Sequence, residues 1–185
     1  MSEIPFLGRF FPDEKVSTVD DIDYERLLDS GIKAVIFDLD NTIARWGEDR
    51  LAQDVIELLD CVTKLGLKVG ILSNSRREKI EDFVVDLPFP HIFNANKPTG
   101  KGFREMLAEL NVSPEEAAMI GDQMFTDVLG ANRLDMYTIW VDPIDPGKEY
   151  SFTRINRVGE KIVLSFRKLY RSLKKIKEKT CFGKN

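Results

Sequence analysis

The segment from Lys33 to Thr42 (KAVIFDLDNT) constrains this chain more than any other. An apolar run rich in β-branched residues ends abruptly in two acids that flank one leucine, and a hydroxyl follows two places later. A run of this kind reads as a strand buried on both faces, the sort from which parallel sheets are built. In open α/β sheets, ligands sit beyond the carboxyl ends of the strands. Asp38 and Asp40 therefore stand where such a fold does its chemistry. Two carboxylates this close suit Mg²⁺, a hard cation that takes oxygen ligands and keeps phosphate oxygens as partners. A strand followed by an acidic turn is the plainer account, and the segment by itself does not choose between them.

The rest of the chain sets the context. Strand patterns alternate with helical ones, which predicts a three-layer, Rossmann-like α/β fold with a parallel sheet of about five strands. The strands are expected at 33–37, 67–72, 91–93, 117–120 and 136–141. Helices are expected at 24–30, 51–65, 76–85 and 100–110, with another running from Gly121-Asp122 to about Arg133. Gly66 marks the end of the second helix, and Ser113-Pro114-Glu115-Glu116 is a capping signal. On these patterns Cys61 and Trp140 belong to the core, and His91 to strand packing. The 185 residues, 43% hydrophobic and 31% charged, suit one soluble domain with a sizeable core. Cys61 and Cys181 make no disulfide framework, so a reducing compartment is expected.

Polar groups recur just after successive strands. Asp38 and Asp40 follow the first, Ser73 and Asn74 the second. Lys97 lies in the loop after the third, and Asp122 follows the fourth, with Asp127 five residues on. In a parallel sheet all of these gather at one edge. Phosphoryl transfer needs such a set. A cation between carboxylates neutralises phosphate charge. One carboxylate can attack phosphorus, and a second can protonate the leaving oxygen and then deprotonate water. A hydroxyl and an ammonium hold the phosphate oxygens as charge develops. Each residue also has a plainer reading: Ser73 as a turn residue, Lys97 as a loop charge with Lys101 as its rival, Asp127 as a helix cap. Trp46, in the loop after the first acids, is either packing or a substrate contact.

Asp38-Leu39-Asp40-Asn41-Thr42, Ser73, Lys97 and Gly121-Asp122 with Asp127 resemble the four motifs of the haloacid dehalogenase (HAD) superfamily. Within it the chain is similar to the YqeG-type phosphatases of subclass IIIA, which are related to phosphatidylglycerophosphate phosphatases. The lead from Phe11-Pro12 to Val16, Asp21 and Asp23, the run from Gly31 to Thr42, Ala95 to Pro98, and Gly121 to Asp127 carry that likeness. The resemblance implies a capless HAD fold and a Mg²⁺-dependent phosphomonoester hydrolase. In it Asp38 is the nucleophile that becomes an aspartyl-phosphate, and Asp40 is the general acid/base. Ser73, Asn74 and Lys97 hold the phosphoryl group, and Thr42 orders the loop beside it. Asp38, Asp122, Asp127 and the Asp40 backbone carbonyl are the implied metal ligands. The implied substrate is phosphatidylglycerophosphate, with nucleic-acid, protein or small soluble phosphomonoesters as alternatives. A phospho-accepting regulatory domain shares many of these groups, but places its acceptor Asp after the third strand, where this chain has Asn94-Ala95-Asn96-Lys97.

The gaps between motifs bear on the substrate. Thirty residues separate Thr42 from Ser73, and 22 separate Asn74 from Lys97. Neither gap holds a cap domain of roughly 50 residues or more, so an open site is expected, suited to a large or surface-bound substrate. From Arg154 to Asn185, 11 Lys/Arg face 2 Asp/Glu, a balance of +9; the preceding residues hold 16 and 29, a balance of −13. Val158, Ile162, Phe166, Leu169, Leu173 and Ile176 form a single helical stripe in that segment. The expected division is a phosphatase domain at 1–150 and a basic amphipathic helix at 151–185. That helix packs on the domain, lies on an anionic membrane, or contacts RNA or another helix. No apolar run approaches the ~20 residues of a membrane span, and the N-terminus lacks the form of a secretory signal. A cytoplasmic protein able to sit peripherally on a membrane is expected.

Overall fold

The computed structural model describes residues 8–48, 50–75, 89–146, 159 and 165. The chain divides into two compact units, Met1–Glu149 and Tyr150–Asn185. In the second unit only Gly159 and Ser165 are described, both helical. The basic stripe expected at 151–185, the helix expected at 76–85 and Cys181 thus lie outside the described residues.

Six strands form one sheet: β1 (Glu14–Lys15), β2 (Ala34–Phe37), β3 (Lys68–Leu72), β4 (His91–Ile92), β5 (Ala117–Gly121) and β6 (Tyr137–Trp140). Their order is β1-β6-β5-β2-β3-β4, and every pairing is parallel. The five expected strands are present, with ends moved by a residue or two. The sixth, β1, is two polar residues with no apolar run to announce it; its pairing with Ile139 and Trp140 defines it. The helices are α1 (Tyr24–Asp29), α2 (Gln53–Lys64), α3 (Gly100–Leu110) and α4 (Leu129–Asn132). Asp23 caps α1 by accepting from the Arg26 amide. Gly66, at φ 105°, closes α2 in the left-handed conformation a Cβ disfavours.

Strand side chains alternate between faces, and the sheet is buried on both. Val35 and Phe37 join the cluster that holds Leu27 of α1 and Leu59 and Val62 of α2. Ala34 and Ile36 join the cluster of Phe103, Met106, Leu107 and Leu110 from α3. Each large side chain so buried contributes about 1.5–3 kcal/mol. The connection from β2 to β3 is spent on a tight loop and on α2, which belongs to the core, so no cap is inserted there.

Two expectations need correction. Cys61 is exposed rather than buried. It lies two residues past Leu59, about 200° around the helix, while Leu59 and Val62 face the sheet. The segment after β5 is not a plain α-helix. It opens with a π-helical stretch, Met124–Val128, before the short α4. Single π turns occur often at functional sites, and this one carries Asp127.

The topology fixes where a ligand can bind. From β2 the chain moves outward to β3 and β4, then returns to the other side of β2 for β5 and β6. The crevice of such a sheet opens at the carboxyl ends of the two strands where the direction reverses, here β2 and β5.

Candidate active site

Asp38 and Asp122 are the first residues beyond β2 and β5, so the reversal of strand order sets them side by side. The Asp38 amide donates to the Ile120 carbonyl at 2.8 Å, which ties the loop after β2 to β5. That loop then turns sharply. Asn41 sits at φ 62°, a conformation asparagine tolerates better than most residues. Its amide donates to the Ala44 carbonyl at 2.7 Å. Leu39 and Ile43 are buried beneath the turn. Thr42 reaches across to β5: its hydroxyl accepts from the Asp122 amide at 3.1 Å and lies 3.5 Å from Asp122 Oδ1.

Three carboxylates meet here. Asp38, Asp122 and Asp127 are buried, at 3%, 0% and 0% exposure, and each offers an oxygen within 4.8 Å of the others. Gly121 makes room for them. A Cβ at that position would lie 2.5 Å from Asp127 Cγ. Asp127 is held by the Gln123 amide, which donates to Oδ2 at 3.0 Å.

Lys97 enters from the loop after β4 and is itself only 6% exposed. Its Nζ donates to Asp38 Oδ1 at 2.6 Å and to the Leu72 carbonyl at 2.8 Å, and pairs with Asp127 Oδ1 at 2.7 Å. Lys101 is exposed. Burial works against the Lys97 charge, yet the Asp127 and Asp38 carboxylates outweigh it and hold the ammonium above its ordinary range. Burial pushes the Asp38 carboxyl well above the usual carboxylate range; Lys97 opposes the shift, while Asp127 and Asp122 add to it. Three buried carboxyl groups that converge in this way form an all-oxygen donor set that fits a divalent hard cation such as Mg²⁺.

The remaining residues line the loops after β3 and β4. Ser73 is fully buried, and its Oγ accepts from the Ser75 amide at 3.1 Å. Asn74 is exposed, with both side-chain polar atoms engaged by the Lys97 backbone. Asp40 is half-buried and accepts from the Ser75 hydroxyl. Trp46 is half-buried in the same loop as Asp40. His91 is exposed and its ring lies 5.3 Å from that of Phe93.

Two contacts go beyond what the sequence pattern indicates. Ser75, which directly precedes the helix expected at 76–85, touches Asp40 across 35 residues. Trp140 was read as core, yet it is half-buried with Lys15 Nζ 4.7 Å from its ring centre. Its indole N–H donates to the Asp122 carbonyl at 2.8 Å. The repeated hydroxyl in Ser73-Asn74-Ser75 was the available hint for the first; nothing local marks the second.

The comparisons with known proteins agree with this geometry. A family model for haloacid dehalogenase-like hydrolases matches residues 43–135. The chain is 36% identical over 156 residues to a Bacillus subtilis protein named probable phosphatase YqeG, a match covering 84% of this chain and 90% of that one. It is 28% identical to the chloroplastic phosphatidylglycerophosphate phosphatase 1 of Chlamydomonas reinhardtii, over 75% of this chain and 55% of that one. It is 27% identical to a mitochondrial phosphatidylglycerophosphatase of Saccharomyces cerevisiae, over 60% of this chain and 66% of that one.

Proposed function

The chain belongs to the haloacid dehalogenase-like hydrolases and is a phosphatase of phosphoric monoesters, and from that premise we propose that it works through an aspartyl-phosphate on Asp38 and that its substrate is the lipid phosphate of phosphatidylglycerophosphate. The observation that carries the chemical part is the buried meeting of Asp38, Asp122 and Asp127 around Lys97 at the strand-order reversal.

An Asp38 carboxylate oxygen attacks phosphorus, the new oxygen–phosphorus bond forms, and the bond to the leaving alkoxide breaks. Asp40, two residues on, gives its proton to that alkoxide. As a carboxylate it then takes a proton from water, whose oxygen attacks the same phosphorus and restores Asp38 with release of phosphate. Lys97 fixes the Asp38 carboxylate through Oδ1 and supplies positive charge beside the phosphoryl oxygens. Ser73 orders the loop facing them, and Asn74 belongs to the cradle through the Lys97 backbone it holds. Asp38, Asp122 and Asp127, with the Asp40 backbone carbonyl, would hold Mg²⁺, which when bound neutralises phosphoryl charge. Thr42 keeps the loops of β2 and β5 in register for that set.

Three observations support the lipid substrate. Two relatives are named for it. The connection from β2 to β3 inserts no cap, so a bulky headgroup can reach the site. Residues 154–185 carry the +9 balance that an anionic surface attracts. In this reading that basic segment binds the cytoplasmic membrane surface. Among the described residues no helix is long and apolar enough to cross a membrane. The test is phosphate release from phosphatidylglycerophosphate in vesicles against a panel of soluble sugar, nucleotide and peptide phosphates. Turnover of the soluble compounds alone would sink the lipid assignment. Asp38→Asn with undiminished activity would remove the nucleophile. Vesicle binding that is unchanged on deletion of 154–185 would remove the membrane role of that segment.

A further inference from the structure

We propose that Ser75 is a positioning residue for the acid/base step: its hydroxyl holds the Asp40 carboxyl in the orientation from which the proton is transferred. The proposal rests on the reading of Asp40 as general acid/base. Ser75 Oγ donates to Asp40 Oδ2, and the serine that makes this bond is pinned on both sides. Its amide donates to the buried Ser73 Oγ at 3.1 Å, and its carbonyl accepts from the Asn94 amide at 3.1 Å. The loop after β3 is thereby tied to itself and to the loop after β4, and the Ser75 hydroxyl is delivered to a carboxyl that comes from β2. Asp40 is only half-buried, and the bond from the Ser75 hydroxyl restrains its side-chain torsion.

The residue type suits the task. An acid/base group must pass through both protonation states in one turnover. A lysine or arginine could only donate to it and would favour the carboxylate throughout. A hydroxyl carries one donor and two acceptor sites. It donates to Oδ2 whether the group is carboxylate or carboxylic acid and leaves Oδ1 to carry the transferable proton, so the orientation of Asp40 is held in both halves of the cycle. Sub-ångström placement of such a group is where large rate factors reside.

The test uses the full chain with Mg²⁺ and two substrates, the alkyl monoester glycerol phosphate and the aryl monoester para-nitrophenyl phosphate, whose leaving group needs little help from a proton. Ser75→Ala is expected to lower kcat on the alkyl ester about 10- to 100-fold with KM little changed. The aryl ester should lose far less, and Ser75→Thr, which keeps the hydroxyl, should restore the alkyl rate. In an Asp40→Asn background the Ser75→Ala change should have no further effect. Equal losses on both esters, a change confined to KM, or an undiminished loss in the Asp40→Asn background would overturn the proposal. Ser75→Ala without effect beside a crippled Asp40→Asn would overturn it and leave the acid/base reading standing. Full alkyl activity in Asp40→Asn would remove both.

Discussion

Asn74 and Lys97 hold each other by a reciprocal pair of hydrogen bonds: the Lys97 amide donates to Asn74 Oδ1 at 2.7 Å, and Asn74 Nδ2 donates to the Lys97 carbonyl at 3.0 Å. One side chain thus satisfies both backbone polar groups of a residue in the loop after β4, from the loop after β3. The ammonium at the end of Lys97 reaches Asp38 and Asp127 from a backbone fixed in this way. Asn74→Ala should leave the fold intact and lower kcat about 10- to 100-fold by loosening that placement. Steady-state kinetics beside a far-ultraviolet dichroism spectrum checks it, and an unchanged kcat would show that the pair is dispensable.

Removing the ammonium itself should act on stability. Lys97→Ala leaves three buried carboxylates facing one another, and breaking a buried pair of this kind costs about 3–5 kcal/mol. A cation that binds only the folded state restores stability by mass action. Mg²⁺ should therefore raise the melting temperature of Lys97→Ala more than that of the parent chain. Thermal melts of both with and without Mg²⁺ decide the matter; equal shifts would mean that the three carboxylates do not hold the metal.

Gly121→Ala tests the same pocket by shape alone. Gly121 lies in β5 without a positive φ, so the backbone accepts alanine, but the added Cβ would meet Asp127. Asp127 must swing away. The expected result is a raised Mg²⁺ requirement and a loss of activity of about 100-fold. Mg²⁺ titration by calorimetry and by activity should move together, and an unmoved calorimetric affinity would free Asp127 from the metal.

Acid stability follows from Glu116. The Lys33 ammonium, and then the Ser113 backbone amide, hold its carboxyl down at about 2 against an ordinary 4.5. The folded-state value is depressed, so its contribution is fully present above the unfolded value of 4.5. It is lost as pH falls from there through about 2. Glu116→Gln should flatten that part of the stability curve and leave neutral-pH activity unchanged. Urea melts taken down the acid limb would show it, and parallel curves for parent and variant would refute it.

Much of this architecture is legible before any coordinates. The strands around the site are apolar on both faces, so β2, β3 and β5 stand out, and the polar site residues come where those runs stop. Side-chain geometry is harder to read. The Ser75 bond to Asp40 and the Trp140 bond to the Asp122 carbonyl join residues 35 and 18 positions apart, and no local pattern encodes them. β1 is defined by its neighbour rather than by its own residues. Cys61 shows how a stripe read too broadly misplaces a small apolar residue. The π turn at Met124–Val128 falls outside the helical periodicity that an ordinary reading assumes.

Phe37 stands level with Ile71 on β3 and with Ile120 on β5, so the three strands run out within one residue of a common line, and Asp38, Ser73 and Asp122 follow their ends directly. A residue inserted into β2 would carry Asp38 about 3.3 Å along the strand and turn it to the opposite face. Such a chain could keep every charged group and every apolar side chain and still possess no site. The three strands act as a ruler graduated in peptide units, and changes of length can be absorbed only in the connections between them.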